Sequence, residues 1–315
     1  MSTAVITPTP TQHIQMHSAK PSFFGTVRGE FFKMQRQWTN WIMLVLLLGA
    51  IFLPFVVEMT APNAKANIQT NPLHFYYTLL SITLSILRVF TGIFLLILTA
   101  RTIGLEYQLG TIRILLARGV GRLQLLFAKL LAIALIALGL LVFGLLLNYL
   151  LTAIMAIGLT GNLDSFNALN SVFWSDARIY VLSIMLNMGV TILLATAAAV
   201  VGRSVTFGLS VALVFFPIDN ILTLMMTLAY RITQNDFWLS ATAYLLGPNL
   251  NAMAGALTSN RALSIGSAPL YGVDPSGVAH GIQVDGTHTV MVALVYAAIF
   301  AVTAIVLTWK RDVKE

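Results

Sequence analysis

Long apolar runs alternate with short polar segments along the chain, and six of these runs are long enough to cross a bilayer. A spanning α-helix needs about 20 consecutive, predominantly apolar residues. The six predicted spans cover residues 41–59, 76–100, 130–159, 179–201, 205–230 and 289–309. The pattern therefore predicts an all-α integral membrane protein with one six-span transmembrane domain over residues 41–309.

A helical pattern also precedes the first span. Its apolar residues recur every three or four positions, which places them on one face of a helix: Phe23, Val27, Phe31, Met34 and Trp38. We predict an amphipathic helix over residues 22–40 that lies on the inner membrane surface. A helix packed on a partner protein is the alternative. The flanking segments 1–21 and 310–315 are predicted to be cytoplasmic tails, the first of them disordered.

Composition supports the membrane assignment. The chain of 315 residues is 58% hydrophobic and 9% charged, with a mean hydropathy of +0.86, whereas soluble domains carry about 25% charged residues. The absence of cysteine excludes disulfides, thiolate metal sites and cysteine nucleophiles. A net charge of +7 fits basic residues at the cytoplasmic ends of spans, so we expect no nucleic-acid partner.

The distribution of basic residues predicts the orientation of the chain. If the N-terminus is inside, most of the 18 Lys and Arg residues lie on the cytoplasmic side. The residues then left outside are Lys65, Arg178, Arg231 and Arg261. This bias predicts a multi-pass protein of the plasma (cell) membrane with both termini cytoplasmic.

The predicted outer loop, residues 231–288, contains one further apolar segment. Residues 238–257 are moderately apolar, but Gly247, Pro248 and Asn249 interrupt them in the middle. Two structures fit this pattern, a helix–turn–helix at the outer interface or a re-entrant dip into the membrane.

Two opposite charges lie inside the predicted spans. Arg88 and Asp219 both sit about 17 Å from the outer surface at 1.5 Å per residue. A lone charge at that depth costs about 2.5–3.5 kcal/mol, so we predict that they form a salt bridge. The bridge either fixes packing or belongs to a substrate path or gate. Pro217 lies two residues before the acid and is a candidate hinge, because proline frees a backbone carbonyl one turn back.

The most charged stretch connects the second and third spans, over residues 101–129. Its apolar positions favour helix, and Gly110 and Gly119 interrupt it, which predicts a helix–break–helix unit. A loop that only fixes topology needs no such order. An amphipathic element beside the membrane is better explained as a docking surface for a cytoplasmic partner.

This connection, GLEYQLGTIRILLARGVGRLQLLFAK, resembles the loop between the second and third spans of ABC-2 type transporter permeases. The matching residues are Glu106, Gly110, Thr111, Arg113, Leu115, Leu116, Arg122 and Lys129. Where the family often has Pro and Ser before the arginine, this chain has Val120 and Gly121. The six-span layout and the N-terminal amphipathic helix are also similar to the family.

The resemblance implies a role and its partners. Such permeases, usually exporters, pair as homodimers or related heterodimers and bind cytoplasmic ABC ATPase subunits through a coupling helix in this loop. It implies coupling roles for Glu106, Gly110, Thr111, Arg113 and Arg122. This chain has no GxxxxGK[ST] phosphate-binding motif, so ATP and Mg are expected on the partner, and no cofactor or metal on this chain.

Other classes of function fit the sequence less well. An intramembrane hydrolase needs a nucleophile and base, or metal ligands, within the spans. The five histidines lie in tails, outer loops or span edges, so we do not expect an enzyme. A secondary transporter would more often show several polar residues in its spans and an internal repeat. A non-transporting anchor or sensor that binds a ligand through its outer loop is the remaining alternative.

Overall fold

The computed structural model describes residues 22–258, 272–273, 279–280 and 284–310. The predicted tail over 1–21, nearly all of the C-terminal tail and much of the long outer connection lie outside these residues. The helices are α1 Phe23–Gln35, α2 Trp38–Thr60, α3 Ala64–Thr70, α4 Pro72–Gln108, α5 Thr111–Ala117, α6 Arg122–Thr160, α7 Ser171–Gly202, α8 Val205–Thr233, α9 Phe237–Thr242, α10 Leu246–Leu257 and α11 Gly286–Lys310. The short elements are a 3₁₀ helix, Asp164–Ala168, and two antiparallel strands, β1 Gly272–Val273 and β2 Ala279–His280.

Six of these helices are long and apolar enough to cross a membrane, namely α2, α4, α6, α7, α8 and α11. This confirms the predicted all-α integral membrane fold. The longest, α6, has 39 residues and measures about 58 Å at 1.5 Å per residue, well beyond a hydrocarbon core of about 30 Å. Several helices are longer than the apolar stretches that predicted them, because backbone hydrogen bonding continues after the side chains become polar.

The centre of the bundle is α7, which packs against α4, α8 and α11. Small residues permit close helix contacts on this side. Ala199 of α7 is fully buried and lies against Gly208 of α8. Gly104 of α4 comes closer still, because a Cβ atom there would lie 2.8 Å from the Cα of Val205. The α4–α8 crossing therefore requires glycine at position 104.

The N-terminal helix α1 packs on the bundle, mainly against α6. Val27 and Met34 from its predicted apolar face are buried in the main core. Trp38 does not share that face, since it opens α2 and is 79% exposed. The single helix expected over residues 22–40 is thus two helices with a break between Gln35 and Trp38.

The segment expected at the outer surface or in a re-entrant dip forms α9 and α10, and α10 is almost wholly buried between α7, α8 and α11. The expected break at Gly247 and Pro248 is instead the first turn of α10, which begins at Leu246. Proline is tolerated in a first turn because its missing N–H has no intrahelical partner there. The segment is thus two helices joined by a short turn, and whether α10 dips into the membrane stays a prediction.

Candidate functional site

The elements rich in basic residues meet at one end of the bundle, which we call the basic end. It comprises α1, the last turn of α4, α5, the first turns of α6 and the last turn of α11. Arg122 at the start of α6 donates a hydrogen bond to the Trp309 carbonyl, at 3.4 Å, near the end of α11. The basic end therefore joins the N-terminal, central and C-terminal parts of the chain.

A four-residue ion cluster at this end consists of Glu30, Lys33, Glu106 and Lys129. The Lys129 ammonium lies 2.9 Å from Glu30 Oε2 and 2.8 Å from Glu106 Oε1. The Lys33 ammonium lies 2.5 Å from Glu30 Oε1 and 2.7 Å from Glu106 Oε1. Two acids and two bases thus alternate, and their charges cancel. The cluster ties α1, α4 and α6 together.

Burial makes the Glu30–Lys129 pair of this cluster costly to break. The side chains of Glu30 and Lys129 are 3% and 5% exposed, and breaking such a buried pair is far more costly than breaking a surface one. Burial by itself lowers the pKa of the Lys33 ammonium. Hydrogen bonds and the negative charges of Glu106 and Glu30 outweigh this effect and raise the pKa above its usual 10.5.

Glu106 is placed differently from what a docking role requires. Its side chain is only 11% exposed and accepts hydrogen bonds from Lys33 and Lys129. A carboxylate held in this way fixes the end of α4 within the bundle and presents little surface to a partner. Its contribution to the basic end is therefore one of positioning.

Neither Glu30 nor Lys33 was among the site residues predicted from the sequence. A signal for Glu30 existed, because it lies three residues after Val27 and four before Met34, on the apolar face itself. A carboxylate on a buried face needs a buried cation. In the structure that buried cation is Lys129, near the start of the third span.

The helix α5 projects from the basic end. Gly110 precedes it with φ +66°, a left-handed conformation that favours glycine, and so turns the chain out of α4. Thr111, the first residue of α5, is half-buried. The inner face of α5 packs through the buried Ile112 against Val120 and Leu125. This packing fixes the helix on the bundle.

The outer face of α5 is exposed and carries both charge and apolar surface. Arg113 and Arg118 are exposed. Ile114 is 55% exposed, and Leu109, just before the helix, is 69% exposed. A basic face with uncovered aliphatic side chains is suited to docking another protein.

Three of the predicted coupling residues, Gly110, Arg113 and Arg122, are brought together around a cavity of about 70 Å³ at the basic end. Tyr107 from α4 and Thr308 from α11 also line it. The space has the volume of a few water molecules rather than of a ligand. It separates α5 from the ends of α7 and α11.

Within the bundle, the predicted salt bridge between Arg88 and Asp219 is not formed. Arg88 Nη1 donates to the Leu250 carbonyl at 2.9 Å, and Nη2 donates to Asn251 Oδ1 at 3.0 Å. Asp219 accepts a hydrogen bond from the Gly247 backbone N–H. The two charges are linked indirectly because the buried helix α10 supplies a partner for each.

A cavity of about 420 Å³ lies beside Arg88, between α4, α7, α8 and α10. Pro217 lines this cavity from within α8, which continues as a helix on both sides of it. Asp219 is not among the lining residues. Pro217 as a hinge remains a prediction.

No group of three or more His, Asp or Glu side chains that could hold a metal ion occurs among the described residues.

The model of a family described as ABC-2 family transporter protein matches residues 26–234, more than half of the chain. The match covers most of α1, all of α5, and the helices α4, α7 and α8 near Arg88, and it ends before α10. No curated protein matches the chain.

Proposed function

The chain belongs to the ABC-2 transporter family and is a membrane permease subunit; we propose that it is the permease of an exporter driven by ATP hydrolysis on a separate chain. The observation that carries this proposal is the position of α5. It is a short helix that projects beyond the spans, exposes a basic and apolar face, and is held by packing on its inner side.

In the proposal, α5 is the coupling helix and a cytoplasmic ABC ATPase subunit binds its outer face. Arg113, Ile114 and Arg118 form the contact. ATP and Mg belong to the ATPase, whose closure would move α5. The basic end is then cytoplasmic, and both chain termini lie on that side of the plasma membrane.

Movement of α5 has a direct route into the membrane. The helix follows α4 after two residues and precedes α6 by four. Along α4, Arg88 lies 18 residues from Glu106, or about 27 Å at 1.5 Å per residue. The ion cluster makes α1, α4 and α6 move together at the basic end. A two-state change at α5 would therefore reach the cavity beside Arg88 through one continuous helix.

A second permease copy is also part of the proposal. In the most apolar part of each helix, only 17% of α8 and 11% of α11 is buried within one chain. That surface is covered by membrane lipid or by another copy. Pairing of two copies, identical or related, would match one coupling helix to each of two ATPase subunits.

The test is ATP turnover in the complex of this permease with the ATPase subunit that co-purifies with it, reconstituted in lipid. Reversing charge and polarity on α5, by Arg113→Glu with Ile114→Asp, should weaken ATPase binding and remove stimulation of turnover by the permease. Arg178→Glu is the matched control, because Arg178 is exposed at the opposite end of the bundle.

Unchanged binding and turnover in the α5 variant would show that α5 is not the docking element. If no ATPase associates with the wild-type protein, the non-transporting anchor or sensor replaces the transporter. Glu106 is a poorer probe than Arg113, since its loss disturbs the buried ion cluster.

A further inference from the structure

The cavity beside Arg88 combines a buried positive charge with apolar walls. Arg88 is 7% exposed and belongs to the second span. Its two hydrogen-bond acceptors, the Leu250 carbonyl and the Asn251 side chain, are both uncharged. Among the described residues, no carboxylate forms an ion pair with it. The charge is therefore solvated by dipoles but not neutralised.

Buried charges in proteins are usually paired, and an arginine at mid-membrane depth is costly without an anion. Asp219, the nearest candidate by depth, is held by Gly247 on the same helix α10 and lies outside the cavity lining. A guanidinium has five N–H donors, and two are used by α10. The remaining donors provide a binding surface for an anion.

The rest of the cavity is suited to an apolar body. Val89, Ile93 and Leu96 line it from α4, and Leu213 and Phe216 line it from α8. Asn187 and Asn220 add uncharged polar groups. The volume of about 420 Å³ is within the usual range for small-molecule sites, about 300–1,000 Å³.

We infer that this cavity binds an anionic amphiphile, with its anionic group on Arg88 and its apolar part between α4 and α8. The inference rests on the proposed function in that it names the class of molecule the permease carries. The anionic group comes either from a membrane lipid or from a soluble amphiphile. Both present the same chemistry to Arg88.

The experiment is photolabelling of the full-length permease in phosphatidylcholine nanodiscs, with laurate carrying a diazirine in its alkyl chain. The matched neutral probe is the methyl ester of the same compound. Mass spectrometry should locate laurate labelling on α4 and α8 around the cavity. Wild-type protein should reach half-labelling with laurate at about tenfold lower concentration than with the ester, as expected for loss of a charge-assisted hydrogen bond. Equal labelling by both probes overturns the inference.

Arg88→Gln should remove the preference for laurate, and Arg88→Lys should keep part of it. If Arg88→Gln does not fold, Gly92→Leu provides an independent variant. Gly92 lines the cavity, and a Cβ atom there meets nothing within 4 Å, so we expect leucine to occupy cavity space without replacing Arg88 itself. Its control is Gly139→Leu on α6, where a Cβ atom also meets nothing within 4 Å and the site is exposed.

Loss of labelling in Gly92→Leu but not in Gly139→Leu supports the site, and equal labelling in the two overturns it. Adding phosphatidylglycerol to the nanodiscs identifies the source of the anion. Competition with laurate assigns the site to a lipid headgroup, and absence of competition assigns it to a soluble amphiphile. Labelling needs neither ATP nor a partner. A failure of labelling therefore does not contradict the proposed coupling to an ATPase, and a failure of coupling does not contradict the binding site.

Discussion

The Lys129 ammonium lies 2.9 Å from the Glu30 carboxylate, and both side chains are almost completely buried. Ninety-nine residues separate the two along the chain. This contact attaches the N-terminal helix α1 to the start of α6, and Glu106 extends it to the end of α4. The helices on either side of α5 are thereby held at one fixed spacing.

Replacing Lys129 with Met should lower stability by about 3–5 kcal/mol, because it leaves two buried carboxylates with a single cation. The double variant Lys129→Met with Glu30→Gln should be less destabilised than Lys129→Met alone, since one acid and one base remain to pair. Thermal unfolding in detergent measures both. Lys65→Met, at an exposed site on α3, is the control, and equal effects at Lys65 and Lys129 would contradict the buried cluster.

The contribution of Lys33 to folding stability should be lost at high pH only. Its folded-state pKa is raised above 10.5, so its stabilising effect is complete below that value and is lost as pH rises through the folded pKa. The difference in melting temperature between wild type and Lys33→Met should therefore stay constant through neutral pH and narrow only in strong alkali. A difference that narrows on acidification from neutral pH to pH 6 would show that another group is responsible.

Gly104→Ala should destabilise the protein by about 1–3 kcal/mol through overpacking. The added methyl group would lie 2.8 Å from backbone atoms of Val205, which cannot move without shifting α8. Gly139→Ala in α6 should instead be neutral or slightly stabilising, since alanine favours helix and the added atom meets nothing within 4 Å. Equal melting temperatures for the two variants would mean that α4 and α8 do not cross this closely.

Asp219 should tolerate Asn and not Leu. Asparagine retains an oxygen that accepts the Gly247 N–H, whereas leucine leaves that buried donor unsatisfied at a cost of about 1–3 kcal/mol. Melting temperatures of both variants, with Asp236→Leu at an exposed site as control, test this. If Asn is as harmful as Leu, the negative charge matters more than the hydrogen bond to α10.

The spans were predictable because each residue makes its own contribution to the free energy of transfer into lipid. Averaging these contributions over about 20 residues identifies a span. The helix α5 followed from local pattern and from the glycines around it. The partners of Arg88 and Asp219 were not predictable in the same way. The two charges have similar predicted depths, which suggested that they pair. Their actual partners include a backbone carbonyl and a backbone N–H of α10, and backbone groups cannot be recognised as partners from the sequence.

The attachment of Arg88 to α10 has a consequence for biogenesis. Leu250 follows Arg88 by 162 residues, and at about 5–20 residues per second the ribosome needs roughly 8–30 s to make that stretch. The second span therefore leaves the ribosome with a charge whose final acceptors do not yet exist. Until α10 is synthesised, Arg88 must be held by water, lipid headgroups or the insertion machinery. Synthesis of α10 thus allows the second span to take its final position.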